Sequence, residues 1–281
     1  MDCYSASQFY SSHTKWKNLT NSFCGGSKMS PIDIVTKNVT TDPNLGNFNL
    51  NGFNSKDVFT SIMNNGHTGT KTHCTLKGNE VKVSGGGLSG TYTGLQFHFH
   101  WGDGNHPGSE HTVDEHRYPM EMHIVTQKDH LTAPREHPDG YAVLGFFINE
   151  SKLLNQGPSR SPHVVHLCFI VGTTVMVTYE ISIDDLLGNV NRHDYYRYSG
   201  SLTTHLCNQA VVWTVFKEPV NVDLNLIKMF PKQTGYFNVY RPTQPLPVAT
   251  GPVSLHPVLL DLSYVFCCWH ASVSILYNLD L

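Results

Sequence analysis

Along the chain, apolar and polar residues alternate most strictly in two places. In Gln96-Phe97-His98-Phe99-His100-Trp101 a strand puts Gln96, His98 and His100 on one face and Phe97, Phe99 and Trp101 on the other. Met120-Glu121-Met122-His123-Ile124-Val125 repeats the pattern and groups Glu121, His123 and Val125. Tyr141 to Phe147 is instead a continuous apolar run of strand length, which suits the interior of a sheet. Ala210 to Phe216 reads as a further buried strand. Between Val58 and Val83 short apolar stretches are separated by Asn64-Asn65-Gly66 and by Lys77-Gly78-Asn79-Glu80, and the second of these predicts a hairpin turn. Helical signals are brief: Ile183 to Leu187 reads as one turn and Leu224 to Phe230 as a short helix. Residues 1–29 are polar and irregular, and the first ordered run opens at Ser30-Pro31-Ile32. The pattern predicts an α+β fold: one domain on a large, mainly antiparallel or mixed central sheet, with short peripheral helices.

Composition narrows the partners. A formal net charge of −3 offers no basic field for nucleic acid, so no such partner is expected. Charged residues are only 15% of the chain, in keeping with strands and turns over long solvated helices. The count of 17 histidines raises the expectation of a metal site before any motif is read. The 7 cysteines show no Cys-x-x-Cys spacing, which argues against a thiolate zinc site. Their number is odd, and spacing alone leaves the connectivity open. Asn18, Asn38 and Asn149 begin Asn-x-Ser/Thr sequons, acceptors only if the chain enters the secretory route. The start carries no basic and apolar leader pattern, so the chain is expected either to be cytosolic or to have an incomplete start. Val258 to Leu279 is apolar but holds Asp261 and His270, a poor membrane span and a tolerable tail for exchange with a lipid anchor.

Two histidines two apart on a strand point the same way. A third on a neighbouring strand completes three corners of a tetrahedron and leaves one open, the arrangement of a catalytic zinc site. His98, His100 and His123 are the candidates. A bare His-x-His pair is more often two ordinary strand histidines. Here Gln96 and Glu121 each lie on the ligand face two residues before a histidine, placed to hydrogen-bond an imidazole that binds Zn2+. A zinc hydrolase of the His-Glu-x-x-His type is disfavoured, since that motif does not occur.

Gln96-Phe97-His98-Phe99-His100-Trp101-Gly102, Gly108-Ser109-Glu110-His111-Thr112-Val113-Asp114 and Met120-Glu121-Met122-His123 resemble the α-class carbonic anhydrases. So do Ser30-Pro31-Ile32-Asp33-Ile34, Asn64-Asn65-Gly66-His67, Ser199-Gly200-Ser201-Leu202-Thr203-Thr204, Val211-Val212-Trp213 and Tyr240-Arg241-Pro242-Thr243-Gln244-Pro245. The likeness covers most of residues 25–246. It implies a catalytic domain over that range, an irregular segment over 1–24 and a hydrophobic tail over 247–281. It also implies reversible hydration of carbon dioxide to bicarbonate and a proton by attack of zinc-bound hydroxide. By resemblance His98, His100 and His123 hold the zinc and Thr203 accepts a hydrogen bond from the hydroxide and donates to Glu110. Thr204 lies near bicarbonate and His67 shuttles the proton. Val125, Val143, Leu202, Val211 and Trp213 form the wall that receives carbon dioxide, although wall and core residues look alike in sequence. A catalytically silent module of the same family is the rival, and such relatives lack a ligand histidine.

The resemblance leans toward the secreted and membrane-anchored branch, in which the positions of Cys24 and Cys207 are joined as a disulfide. With Ala249-Thr250-Gly251 and the apolar tail, it implies a monomer on the extracellular face of the membrane, attached through a C-terminal lipid anchor. Two departures stand out. Ser159 to Ile170 has neither the caps nor the periodicity of the helix expected there, and His205 replaces a usual proline, suggesting a fourth imidazole near the metal.

Overall fold

A computed structural model describes residues 13–64, 72–151, 174–176, 180–245 and 253–255. Expectations for His67, Ser159 to Ile170, Ala249 to Gly251 and Val258 to Leu279 fall outside the described residues.

Ten strands run across one large sheet in the order Thr174–Met176, Phe59–Asn64, Thr72–Leu76, Tyr92–Trp101, Met120–Lys128, Tyr141–Ser151, Val211–Asp223, Tyr195–Gly200, Ser254–Leu255 and Thr40–Thr41. Neighbours are antiparallel except the Tyr141–Ser151 and Val211–Asp223 pair and the Ser254–Leu255 and Thr40–Thr41 pair. The mixed sheet with short helices outside it is the fold class that the alternation predicts. The strand Tyr141–Ser151, apolar through Ile148, is central, as expected, because residues on both faces of that stretch are covered.

Apolar clusters pack on both sides of the sheet. One holds Phe97, Phe99, Trp101, Met120, Met122 and Phe146. The other holds Val143, Phe147, Val211, Trp213 and Val215. The odd and even residues of the alternating strands therefore do different jobs: the phenylalanines anchor the sheet, and the histidines face the opposite side.

Several boundaries differ from the sequence reading. The turn at Lys77-Gly78-Asn79-Glu80 is not a hairpin: the strands it joins, Thr72–Leu76 and Lys82–Gly85, do not pair with each other but lie one after the other along Tyr92–Trp101. Val211–Asp223 runs well beyond Phe216, its register on Tyr141–Ser151 slipping between Phe146 and Ile148, opposite a stretch that contains Pro219. A proline has no N–H for the ladder, which makes that slip a natural place to accommodate it. The Leu224–Thr234 helix passes through Pro231 and ends at Gly235, whose φ of 68° is a left-handed cap. The Ile183–Leu187 helix begins with a reciprocal cap between Ser182 and Asp185. Order also reaches before Ser30, because the 3-10 helix His13–Asn18 buries Trp16 beneath the Arg241 guanidinium, 5.4 Å from its ring.

Candidate metal centre and active site

The register of Met120–Lys128 on Tyr92–Trp101 places His123 opposite His98 and Glu121 opposite His100. All three histidines are buried. Each offers one nitrogen to a common point, and those nitrogens lie within 4.8 Å of one another.

The second nitrogen of each ring is held by a different group. His98 Nδ1 donates to Gln96 Oε1 at 2.9 Å, His100 Nδ1 to the Val239 carbonyl at 2.9 Å and His123 Nε2 to Glu121 Oε1 at 2.7 Å. Donation from one nitrogen leaves a lone pair on the other, so His98 Nε2, His100 Nε2 and His123 Nδ1 are the atoms that could bind a metal. Burial pushes the His100 imidazole down to about 4, against the opposing pull of Glu110, so it is neutral at physiological pH. His100 Nε2 is buried without a hydrogen-bond partner among the described residues. A lone pair buried in this way, beside two more imidazole nitrogens, fits a cation.

Glu121 is the keystone of the polar layer beneath. Its Oε2 accepts from the backbone N–H groups of Glu110 and His111, both at 2.8 Å, and its Oε1 accepts from His111 Nδ1 and His123 Nε2, both at 2.7 Å. Burial disfavours ionisation, but the imidazoles of His111 and His123 and their hydrogen bonds outweigh it and hold the carboxyl well below its usual range. His111 Nε2 lies 2.7 Å from the Tyr198 hydroxyl, which lies 2.9 Å from Ser30 Oγ. Gly145, opposite His123, has no Cβ for a reason of space: one there would sit 3.3 Å from Glu121 Oε1.

Glu110 is fully buried beside the cluster, its Oε1 accepting from the Arg241 backbone N–H at 2.8 Å. Its Oε2 has no hydrogen-bond partner among the described residues and lies 4.0 Å from His123 Nδ1. A cavity of about 240 Å³ opens on the cluster, and its lining includes His98, His123, Thr203 and Thr204. A model of the eukaryotic-type carbonic anhydrases matches residues 11–248.

The chain belongs to that family. It is 36% identical over 216 residues to carbonic anhydrase 4 of Oryctolagus cuniculus, covering 76% of this chain and 68% of that relative. Carbonic anhydrase 4 of Mus musculus is 36% identical over 242 residues, covering 79% and 74% respectively. Carbonic anhydrase 15 of Mus musculus is 35% identical over 261 residues, covering 91% and 76%. The protein is thus an enzyme of the carbonic anhydrase type, and its three-histidine cluster can hold a metal ion.

Among the expected wall residues of this carbonic anhydrase, Val125, Val143, Leu202 and Trp213 line the cavity. Val211 is fully buried and belongs to the apolar cluster behind them. His205 does not belong to the metal-capable cluster of His98, His100 and His123 among the described residues, so the fourth imidazole suggested by its position does not join it. Cys24 and Cys207 are joined as a disulfide across a sequence separation of 183. The bridge closes the loop carrying Thr203 and Thr204, where Cys207 N–H donates to the Thr204 carbonyl at 3.0 Å and Phe23 N–H to the Leu206 carbonyl at 2.9 Å.

Sequence reasoning placed Gln96 and Glu121 behind the histidines but missed the groups behind Glu121 and Glu110 and part of the wall. His111, Ser30 and Arg241 sit inside the quoted family motifs and Tyr198 stands just before one, so membership in or next to a motif was the available signal; that they are buried is seen only in the structure. Arg135 and Tyr141 also line the cavity, and nothing in their local pattern announces it.

Proposed function

We propose that this enzyme is a zinc-dependent carbonic anhydrase that interconverts carbon dioxide and bicarbonate at the cluster of His98, His100 and His123. The observation that carries the reading is the set of three imidazole nitrogens within 4.8 Å, that of His100 buried without a hydrogen-bond partner among the described residues. Three neutral ligands with an open fourth position suit catalytic zinc better than a structural site. Bound there, zinc would supply Lewis acidity enough to ionise water near neutral pH; the water pKa of about 7 is the established value for carbonic anhydrase, not one obtained from this geometry.

The protein's own groups then divide the remaining work. Thr203 lines the cavity, and Glu110 Oε2 has no donor among the described residues. An ionised carboxylate accepts only, so a Thr203 hydroxyl turned toward it gives up its proton there and can accept only from the attacking oxygen. That fixes the direction in which the oxygen's lone pair points. Carbon dioxide, small and apolar, is received by Val125, Val143, Leu202 and Trp213, with Val211 supporting them from behind. Thr204 offers a hydroxyl to bicarbonate, and His67 carries the released proton outward because its unperturbed pKa lies near neutrality.

The Cys24 to Cys207 bridge favours an oxidising compartment. With the apolar tail, it supports a monomeric enzyme at the extracellular face of a membrane, held by a C-terminal lipid anchor; among the described residues no helix is long and apolar enough to cross a membrane. Asn18 and Asn38 are exposed and suit glycan attachment there. The test is metal analysis of the purified protein joined to a carbon dioxide hydration assay. One zinc per chain with hydration above buffer is expected. Zinc without hydration would make the chain a silent module of its family, and failure to bind zinc would remove the reading.

A further inference from the structure

The cavity contains one cation that the proposed chemistry does not use. Arg135 stands on the short 3-10 helix Pro134–Glu136, between the strands Met120–Lys128 and Tyr141–Ser151, and lines the cavity with its side chain reaching solvent. No other lining residue is an acid, a lysine or an arginine. Leu95, Val125, Tyr141, Val143, Leu202 and Trp213 make the wall around it largely apolar.

Arg135 has no carboxylate partner within 4.0 Å among the described residues. The acids on the same connection are occupied or turned elsewhere. Asp139 pairs with Lys128 at 2.6 Å, Asp129 pairs with Lys82 at 2.9 Å, and Glu136 is exposed outside the cavity lining. The backbone beneath Arg135 is tied to the active-site loop, because Asn208 Nδ2 donates to the Arg135 carbonyl at 3.5 Å and Leu202 N–H donates to the Asn208 carbonyl at 3.0 Å. An arginine with no counter-ion among the described residues, its backbone tied beside an apolar cavity, has its field concentrated by the low-dielectric walls. Its planar fork of donors fits a planar oxyanion.

We propose that Arg135 is an anion-holding residue at the cavity mouth, which tightens the binding of bicarbonate and of other small monoanions. The proposal rests on the reading of the histidine cluster as the zinc site. Carbon dioxide is uncharged and gains nothing from the guanidinium, so the selectivity is for the product. The overall equilibrium fixes the ratio of kcat/KM in the two directions, and no residue can favour one of them. Arg135 therefore acts on how tightly the anion is held once bound.

The test uses the metal-loaded full chain and the variants R135Q, R135E and R135K, with zinc per chain and Tm measured for each. Bicarbonate and cyanate are titrated calorimetrically; cyanate is a monoanion with the electron count and shape of carbon dioxide. Both dissociation constants should rise by about three- to tenfold in R135Q, between the worth of an exposed ion pair and of one partly shielded by the wall. R135E should weaken binding further, and R135K, which keeps the charge without the fork, should fall between the native protein and R135Q. Dissociation constants that agree within about twofold across the series, less than even a modest ion pair is worth, would overturn the proposal, as would R135K behaving like R135Q. Variants that bind one zinc per chain but fail this test sink the Arg135 proposal alone. A wild-type chain that binds no zinc sinks the metal reading and this proposal with it.

Discussion

Replacing Glu121 with glutamine removes one charge and changes one atom, yet the geometry makes it a severe test of the metal centre. In the native protein all four hydrogen bonds at this side chain run toward the carboxylate, two from backbone N–H groups at 2.8 Å and two from imidazoles at 2.7 Å. Glutamine keeps one acceptor oxygen and puts an NH2 group in place of the other. If the oxygen stays with the backbone pair, the NH2 faces His111 Nδ1 and His123 Nε2, and both must become acceptors. The His123 proton then moves to Nδ1, the atom that faces the other two ligand nitrogens, and must be displaced before a metal can bind. If the amide turns the other way, its NH2 meets two buried backbone N–H groups that cannot move. Loss of a partner that orients a ligand histidine typically lowers metal affinity by about 10- to 100-fold, or roughly 1.4 to 2.8 kcal/mol. Zinc affinity of E121Q, read by competition with a chromophoric chelator, should fall by at least that range, with hydration at subsaturating zinc falling in parallel. Wild-type zinc affinity in a folded E121Q protein would show that Glu121 does not set the His123 tautomer, and would refute the argument.

Three further outcomes are expected. Val143 is buried against a cavity of about 240 Å³, so V143F should fill the wall and lower kcat/KM for hydration by on the order of 100-fold at unchanged zinc content; an undiminished stopped-flow rate would place carbon dioxide elsewhere. The double variant C24S/C207S releases a link across 183 residues, for which the chain-entropy account gives about 5 kcal/mol as an upper figure; urea unfolding that shows a loss below about 1 kcal/mol would mean that the bridge adds little. In the metal-free protein, burial holds His100 down at about 4, whereas the unfolded chain protonates near 6.5. Its contribution to stability is therefore complete above the unfolded value and is lost as pH falls through the folded one, about 3 kcal/mol in all; urea midpoints measured from about pH 7 down to about pH 4 should fall more steeply for wild type than for H100Q.

The sequence by itself determined which histidines cluster. A strand has a side-chain period of two, so His98 and His100 must share a face, and Gln96 must share it with them. The same rule put Glu121 on the side of His123, where it donates nothing and accepts from that ring. Sheet character and the central place of Tyr141–Ser151 were also legible, because burial on both faces leaves an unbroken apolar run. Pairing partners were not. Lys77 to Glu80 looks like a hairpin turn locally, but both flanking strands find more edge to bond on Tyr92–Trp101 than on each other.

Only the tertiary structure decided the contacts that join distant stretches of chain. The acceptor for His100 Nδ1 is a carbonyl at Val239, a group that every residue carries and no pattern distinguishes. The N–H at Arg241 that anchors Glu110 is equally anonymous in sequence. Val211 and Val143 are the same residue type on paired strands, yet one stands behind the wall and the other lines it, which depends on how each face of the sheet is covered. Arg135 enters the cavity because a connection between two strands happens to pass over its mouth. Periodicity specifies which way a side chain leaves its own strand, and only packing specifies what it meets there.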